Sequence, residues 1–276
     1  VRATARLTAE FDGVTGRTVL RQLRSMAPLT LFPRAQAGSG VGAGVGTGAQ
    51  VHLVNSATAP LGGDDLVLHV RVGEGASLRL SGVAATLALP GQSGGESAMA
   101  VHVEVADGGR FEYLPEPTVV TARARHHARL TVDLDGDARL RTREVLVLGR
   151  EGERPGTLTT ATHVVRAGMP MLRQELTVGE EQLDRSPAYL AGRRVLGTEI
   201  VAGPQDESVD GGVDPADRAV ADRAVAGAAG ALSGQWWSVT PLPAGGALAT
   251  VLGVDAVTAE RDLARAVEAW LGRSRA

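Results

Sequence analysis

The chain predicts a mainly β protein, a stacked β-strand or β-helix-like body with two α-helices toward its C-terminus. An internal repeat is the first of three observations behind this. Leu68, Val70 and Val72, then the turn Gly73-Glu74-Gly75-Ala76, then Leu78 and Leu80 match Val101, Val103 and Val105, the turn Ala106-Asp107-Gly108-Gly109, then Phe111 and Tyr113. A third copy runs Leu130, Val132 and Leu134, the turn Asp135-Gly136-Asp137-Ala138, then Leu140. Each copy is two strands of period 2 joined by a glycine turn, and each leaves an apolar face that it cannot bury alone, so the copies are expected to stack into one layered core. The second observation is punctuation by Gly, Pro and Asp at nearly every strand end. The third is a late change in composition, where strand-like sequence gives way to Ala-rich stretches with helix-start signals.

In order along the chain, Arg2 to Phe11 alternates Ala3, Ala5, Leu7 and Ala9 with polar residues, Asp12-Gly13 turns, and Thr18 to Leu23 returns, which reads as a hairpin. Pro28 to Pro33 is apolar but proline-bound, so it is expected at an edge. Residues 38–48 are a low-complexity glycine-rich loop with no Lys-Ser/Thr pair after it to complete a phosphate site. A strand from Gln50 to Ala57 precedes the acidic turn Gly62-Gly63-Asp64-Asp65, and the repeat then begins at Leu66. Ser81 to Ala100 is read as a loop marked by Pro90-Gly91 and Gly94-Gly95. In Phe111 to Val120, Pro115 and Pro117 remove two backbone donors, so pairing must break there. Val145 to Leu148 is a buried strand that emerges at Gly149 into the charged loop Arg150, Glu151, Gly152, Glu153. Thr157 to Val165 and Leu172 to Val178 alternate again, and strand character lasts to about Val201. A polar linker at 203–213 leads to a helix over 214–229, opened by Asp214-Pro215. Trp236 to Val239 and Ala247 to Leu252 are short strands whose tryptophans face opposite ways, one toward the core. A closing helix at 258–272, capped by Thr258, buries Leu263, Val267, Trp270 and Leu271.

A chain of 276 residues can bury a sizeable core as a single domain over 1–276 without cross-links, and it has no cysteine, which removes disulfides and thiolate chemistry and fits a reducing compartment. The net charge of −3 and the absence of a basic block argue against a nucleic-acid stripe, and no apolar run approaches the roughly 20 residues of a membrane span. The expected location is the cytoplasm.

The ordered set Gly62-Gly63-Asp64-Asp65-Leu66, Leu114-Pro115-Glu116-Pro117, then Glu144 with Leu148-Gly149-Arg150 and Gly152-Glu153 resembles the landmarks of the urease accessory protein UreD family, called UreH in some organisms. The resemblance runs from about Arg17 to Gly197 and more weakly to the last helix. Gly62, Gly63, Pro115, Gly149, Arg150 and Gly152 carry it as structural landmarks. The glycine-rich insert, Leu87 where the family commonly has Lys and Thr250 where it commonly has Arg are departures that bear on local surface contacts. The resemblance implies a non-enzymatic scaffold that binds urease apoprotein, recruits UreF and through it the GTPase UreG, and offers a water-filled internal passage for nickel, which is cargo in transit and not a tightly bound cofactor.

A protein that passes Ni²⁺ onward should line its path with carboxylates and water, which hold the ion weakly, where imidazole-rich sites hold it tightly. Asp64, Asp65, Glu112, Glu144 and Glu153 are the candidates. In the plainer reading Asp64 and Asp65 cap turn amides, and Glu144 and Glu153 pair with Arg143, Arg150 or Arg154. The histidines at 52, 69, 102, 126, 127 and 163 show no H-x-x-x-H spacing and read as structural or surface residues. Those of the adjacent pair His126-His127 diverge if the segment is extended. No G-x-S-x-G elbow occurs, so no catalytic site is expected. The repeat by itself also suits two other classes. One is a β-helical scaffold of another metal pathway, of the iron–sulfur assembly type. The other is a carbohydrate-active β-helix enzyme, disfavoured by an aromatic content of 3%.

Overall fold

In the computed structural model, residues 1–34, 48–92, 94–203 and 231–273 are described. The glycine-rich loop up to residue 47, the linker after Gly203 and the helix expected over 214–229 lie outside them. The strands are β1 (Arg2–Asp12), β2 (Arg17–Arg24), β3 (Leu29–Pro33), β4 (Ala49–Asn55), β5 (Asp65–Val72), β6 (Ser77–Ser81), β7 (Thr86–Ala88), β8 (Ser97–Val105) and β9 (Arg110–Leu114). They continue with β10 (Thr118–Val120), β11 (Arg125–Leu134), β12 (Arg139–Leu148), β13 (Thr157–Arg166), β14 (Met169–Val178), β15 (Val195–Ala202), β16 (Leu232–Ser233), β17 (Trp237–Pro241) and β18 (Ala247–Gly253). A single helical turn, α1 (Glu181–Asp184), follows β14, and the long helix α2 (Ala256–Arg273) follows β18.

These strands wind between two sheets. The first has the order β14-β13-β11-β8-β5-β1-β2, and the second runs β16-β17-β18-β15-β12-β9-β6-β4-β3, with the short β10 joining β12 to β7. Within the first sheet β1, β5, β8, β11 and β13 pair in parallel. In the second, β4, β6, β9 and β12 do the same. Each copy of the repeat is one rung, giving a strand to the first sheet, turning a corner, and giving the next strand to the second.

The register shows why the sequence repeats. Leu68 lies opposite Val101, and Val101 opposite Leu130. In the other sheet Leu78 pairs with Phe111, and Phe111 with Leu140. Equivalent apolar positions thus stack in columns, and Leu68, Leu78 and Phe111 are all at most 1% exposed. The corners stack too: Ala106 N–H donates to Val72 O at 2.9 Å and Asp135 N–H to Val105 O at 2.9 Å. The Asp107 carboxylate reaches the next corner and accepts from Asp137 N–H at 2.7 Å. Backbone groups that a turn would leave unpaired are satisfied by the neighbouring rung.

Strand pairing ends at Leu114 and resumes at Thr118, across Pro115 and Pro117 as expected, and β3 is the edge strand of its sheet. Two local readings change. Ser81 to Ala100 is not all loop, because Thr86–Ala88 pairs with β10 and β8 already begins at Ser97. The long helix starts at Ala256, earlier than Thr258, because Asp255 is the capping residue: its carboxylate accepts both the Thr258 N–H and the Thr258 hydroxyl at 2.8 Å.

Helix α2 covers the outer face of the second sheet, where Leu263, Val267, Trp270 and Leu271 pack with Val145, Val195 and Val251. Trp237 packs against this cluster, whereas the Trp236 ring lies beneath the Arg193 guanidinium at 3.6 Å. No described helix is long and apolar enough to cross a membrane.

Candidate functional site

Between the two sheets the core is not continuous. One apolar cluster holds Leu7, Leu68, Leu78, Phe111, Val132 and Leu140. A separate cluster, toward the opposite ends of the later strands β12, β13 and β15, holds Val120, Leu146, Leu148, Leu158 and Leu196. A cavity of about 210 Å³ lies between the sheets, bordered by Tyr113, Glu116, His126, Thr142, Glu144, Thr160, Thr162 and Thr198 among others. That volume holds several waters, and the lining offers them hydroxyl and carboxylate partners.

Alternation puts these polar groups inside. On β12 the inward phase reads Leu140, Thr142, Glu144, Leu146, Leu148, and on β13 it reads Leu158, Thr160, Thr162, Val164, so polar residues occupy positions that belong to the core in the earlier rungs. The columns make the substitution explicit: Thr142 stacks on Tyr113 and Leu80, and Thr160 continues the column of Leu66, Met99 and Ala128.

Glu144 is the buried carboxyl of this band. Both of its carboxylate oxygens accept from the Thr160 hydroxyl at 2.9 Å. Burial pushes its carboxyl up to about 7, with the Thr160 hydrogen bonds pulling the other way. Burial also raises the Tyr113 phenol, and the nearby Glu144 charge adds to it. His126 is buried, with Nδ1 2.9 Å from the Ser97 hydroxyl, and burial pulls its imidazole down to about 4. The ring is therefore neutral at physiological pH, while its neighbour His127 points outward to Glu96, 3.1 Å away.

Of the five carboxylates singled out from sequence, the structure brings only Glu144 to this cavity. Asp64 is buried in its turn and accepts from Leu61 N–H at 2.8 Å. Asp65 is on the surface, 3.8 Å from Arg2. Glu112 pairs with Arg79 at 3.3 Å. Glu153 closes its own loop by accepting from Arg150 N–H at 3.0 Å, which lowers its carboxyl below the usual range. The landmark glycines are structural: a Cβ on Gly62 would lie 2.6 Å from Gly91 N, and one on Gly149 would lie 2.6 Å from Glu153 O. Arg150 anchors that loop through its backbone, with its carbonyl accepting from Arg194, whose guanidinium also binds the carbonyls of Leu148 and Gly149. Pro115 borders the cavity.

Sequence reasoning missed Thr142, Thr160, Thr198, Tyr113, His126 and Glu116. For Thr142 and Thr160 a signal exists, since each interrupts the apolar phase of a strand that is otherwise alternating. Among the described residues no three His, Asp or Glu side chains gather as a ready chelate.

Comparison with known proteins agrees with the landmarks. Residues 3–275 match the family described as UreD urease accessory protein. The chain is 53% identical to urease accessory protein UreD 1 of Saccharopolyspora erythraea, over 97% of this chain and 94% of that protein. It is 37% identical to urease accessory protein UreD of Streptomyces avermitilis, over 97% and 96% of the two chains, and 37% identical to that of a Parafrankia species, over 95% and 86%. With the family model matched over residues 3–275 and a relative 53% identical over 97% of it, this chain belongs to the UreD family of urease accessory proteins.

Proposed function

We propose that this protein is a cytoplasmic scaffold for urease maturation. It binds urease apoprotein, recruits UreF and through it UreG, and lets nickel pass to the urease centre without an active site of its own. Family membership supports the urease assignment over the iron–sulfur and carbohydrate classes. The observation that carries the nickel reading is the polar band around Glu144, set inside a coil that is otherwise packed with Leu, Val and Phe.

The chemistry suits cargo in transit. Ni²⁺ that keeps much of its water meets hydroxyls of Thr142, Thr160, Thr162 and Thr198, oxygen donors too weak to trap it. Glu144, its carboxyl raised to about 7 by burial, is only partly ionised at neutral pH, and with Glu116 on the same lining it offsets part of the cost of bringing a cation inside. His126 faces the same space as a neutral ring tied to Ser97, which leaves its imidazole engaged by a protein partner.

The test is co-expression of the urease structural subunits with the accessory proteins, with and without this chain, followed by measurement of bound nickel and urea hydrolysis. The expected result is nickel-poor urease without the chain, full loading with it, and loading reduced several-fold with Glu144→Gln. Equal metal content with and without the chain would overturn the maturation role. Normal loading by Glu144→Gln would overturn the interior route.

A further inference from the structure

The repeat that stacks apolar side chains inward also stacks polar ones outward, and on the first sheet it lines up histidines. His69 on β5 lies directly opposite His102 on β8, with Thr131 and then His163 further along the same row. The His69 and His102 rings are 5.2 Å apart between centroids and only 20° from parallel. Both residues are partly exposed.

We infer that His69 and His102 form a two-nitrogen surface site for a borderline divalent cation such as Ni²⁺ or Cu²⁺. Two nitrogens sharing one metal at about 2.1 Å must approach within roughly 4 Å of each other. Rotation about χ2, which is soft for histidine, supplies that approach from a parallel stack on adjacent strands. Imidazole suits nickel and copper, and water completes the coordination.

Glu104 follows His102 on the same face and lies opposite Arg71. It is the carboxylate that offsets an arriving cation, while Arg6, opposite His69, sets a limit on how tightly the site holds. His163 sits two strands away from His102, about 10 Å at the backbone, too far to share the ion.

The inference rests on the proposed function only for nickel being the cation met in the cell. Its test uses no urease, so the two can fail separately. The full chain, freed of any histidine tag, is titrated with Ni²⁺ alone and with Cu²⁺ alone at pH 7.5 by calorimetry. The expected result is a site, tighter for Cu²⁺, whose dissociation constant rises more than about tenfold in His69→Ala and in His102→Ala but not in His163→Ala or His127→Ala. Cu²⁺ should also broaden the ring resonances of His69 and His102 in the unmodified chain, a readout that does not depend on how the variants fold. Unchanged binding in both His69→Ala and His102→Ala, or broadening confined to other histidines, would overturn the site.

Discussion

Glu144 and His126 face one cavity with opposite titration preferences, and the signs can be worked out. Glu144 is raised from an ordinary 4.5 to about 7. Below 4.5 it is protonated in folded and unfolded chains alike. As pH rises toward 7 the unfolded chain loses its proton first, so the folded state progressively loses stability, fully above 7. His126 is lowered from 6.5 to about 4, so the folded state loses stability as pH falls from 6.5 toward 4. Each displacement corresponds to about 3 kcal/mol at its limit. Between 4.5 and 6.5 the two oppose each other, and the unmodified protein should show a nearly flat pH profile. Glu144→Gln should unmask His126, giving a protein that is more stable than the parent above pH 7 and loses stability in acid. His126→Gln should do the reverse, gaining stability from pH 7 down to 4.5. Urea unfolding at four pH values reads both, and parallel profiles for the two variants would show that neither group titrates inside the fold. Nothing beside Glu144 in sequence separates it from Glu153, since each lies within a residue or two of an arginine. What separates them is phase: Glu144 shares the inward face with Leu140 and Leu146, while Glu153 lies past the end of its strand.

At the scale of elements, α2 is held by its apolar stripe and by the room the sheet makes for it. Leu263 is fully buried, and its Cδ1 lies where a Cβ on Gly197 would come within 2.8 Å, so the glycine on β15 lets the helix sit close. Leu263→Ala should therefore lower unfolding free energy by about 2–5 kcal/mol, in a single transition shared with the coil. A loss below 1 kcal/mol, or a separate early transition, would mean that the helix is a detachable cap and not part of the core. Helix and strands were legible because each carries its own period. Their ends were less so. Ser97 extends β8 although it is polar, because the buried His126 ring on the next strand hydrogen-bonds to its hydroxyl. The three residues of β7 are too few to show a period, and only pairing with β10 makes them a strand. Asp255 outcompetes Thr258 as the cap because its carboxylate reaches both the amide and the hydroxyl three residues on.

Across the whole molecule the coil behaves as a stack of rungs in which the repeat fixes which residues become neighbours. The three repeat copies were readable because Leu, Val and Phe recur in phase, and the structure sets those same positions in register. The cavity was not readable in the same way. Thr142 and Thr162 lie on the consecutive strands β12 and β13 but belong to different sheets, so only the facing of the two sheets brings them to one space. If that space is a packing defect, filling it should help. Thr142→Leu with Thr162→Leu adds apolar volume where about 210 Å³ is open. Each buried methylene contributes about 0.8 kcal/mol where room exists. The melting temperature should stay level or rise, while nickel delivered to co-expressed urease falls several-fold, the trade of function for stability expected when a cavity is used. Thr142→Val with Thr162→Val serves as the companion, removing hydroxyls while keeping the space, and should reduce delivery less than the leucine pair if width limits passage and equally if polarity does. Full nickel delivery by a folded leucine pair would show that the cation does not travel through the interior.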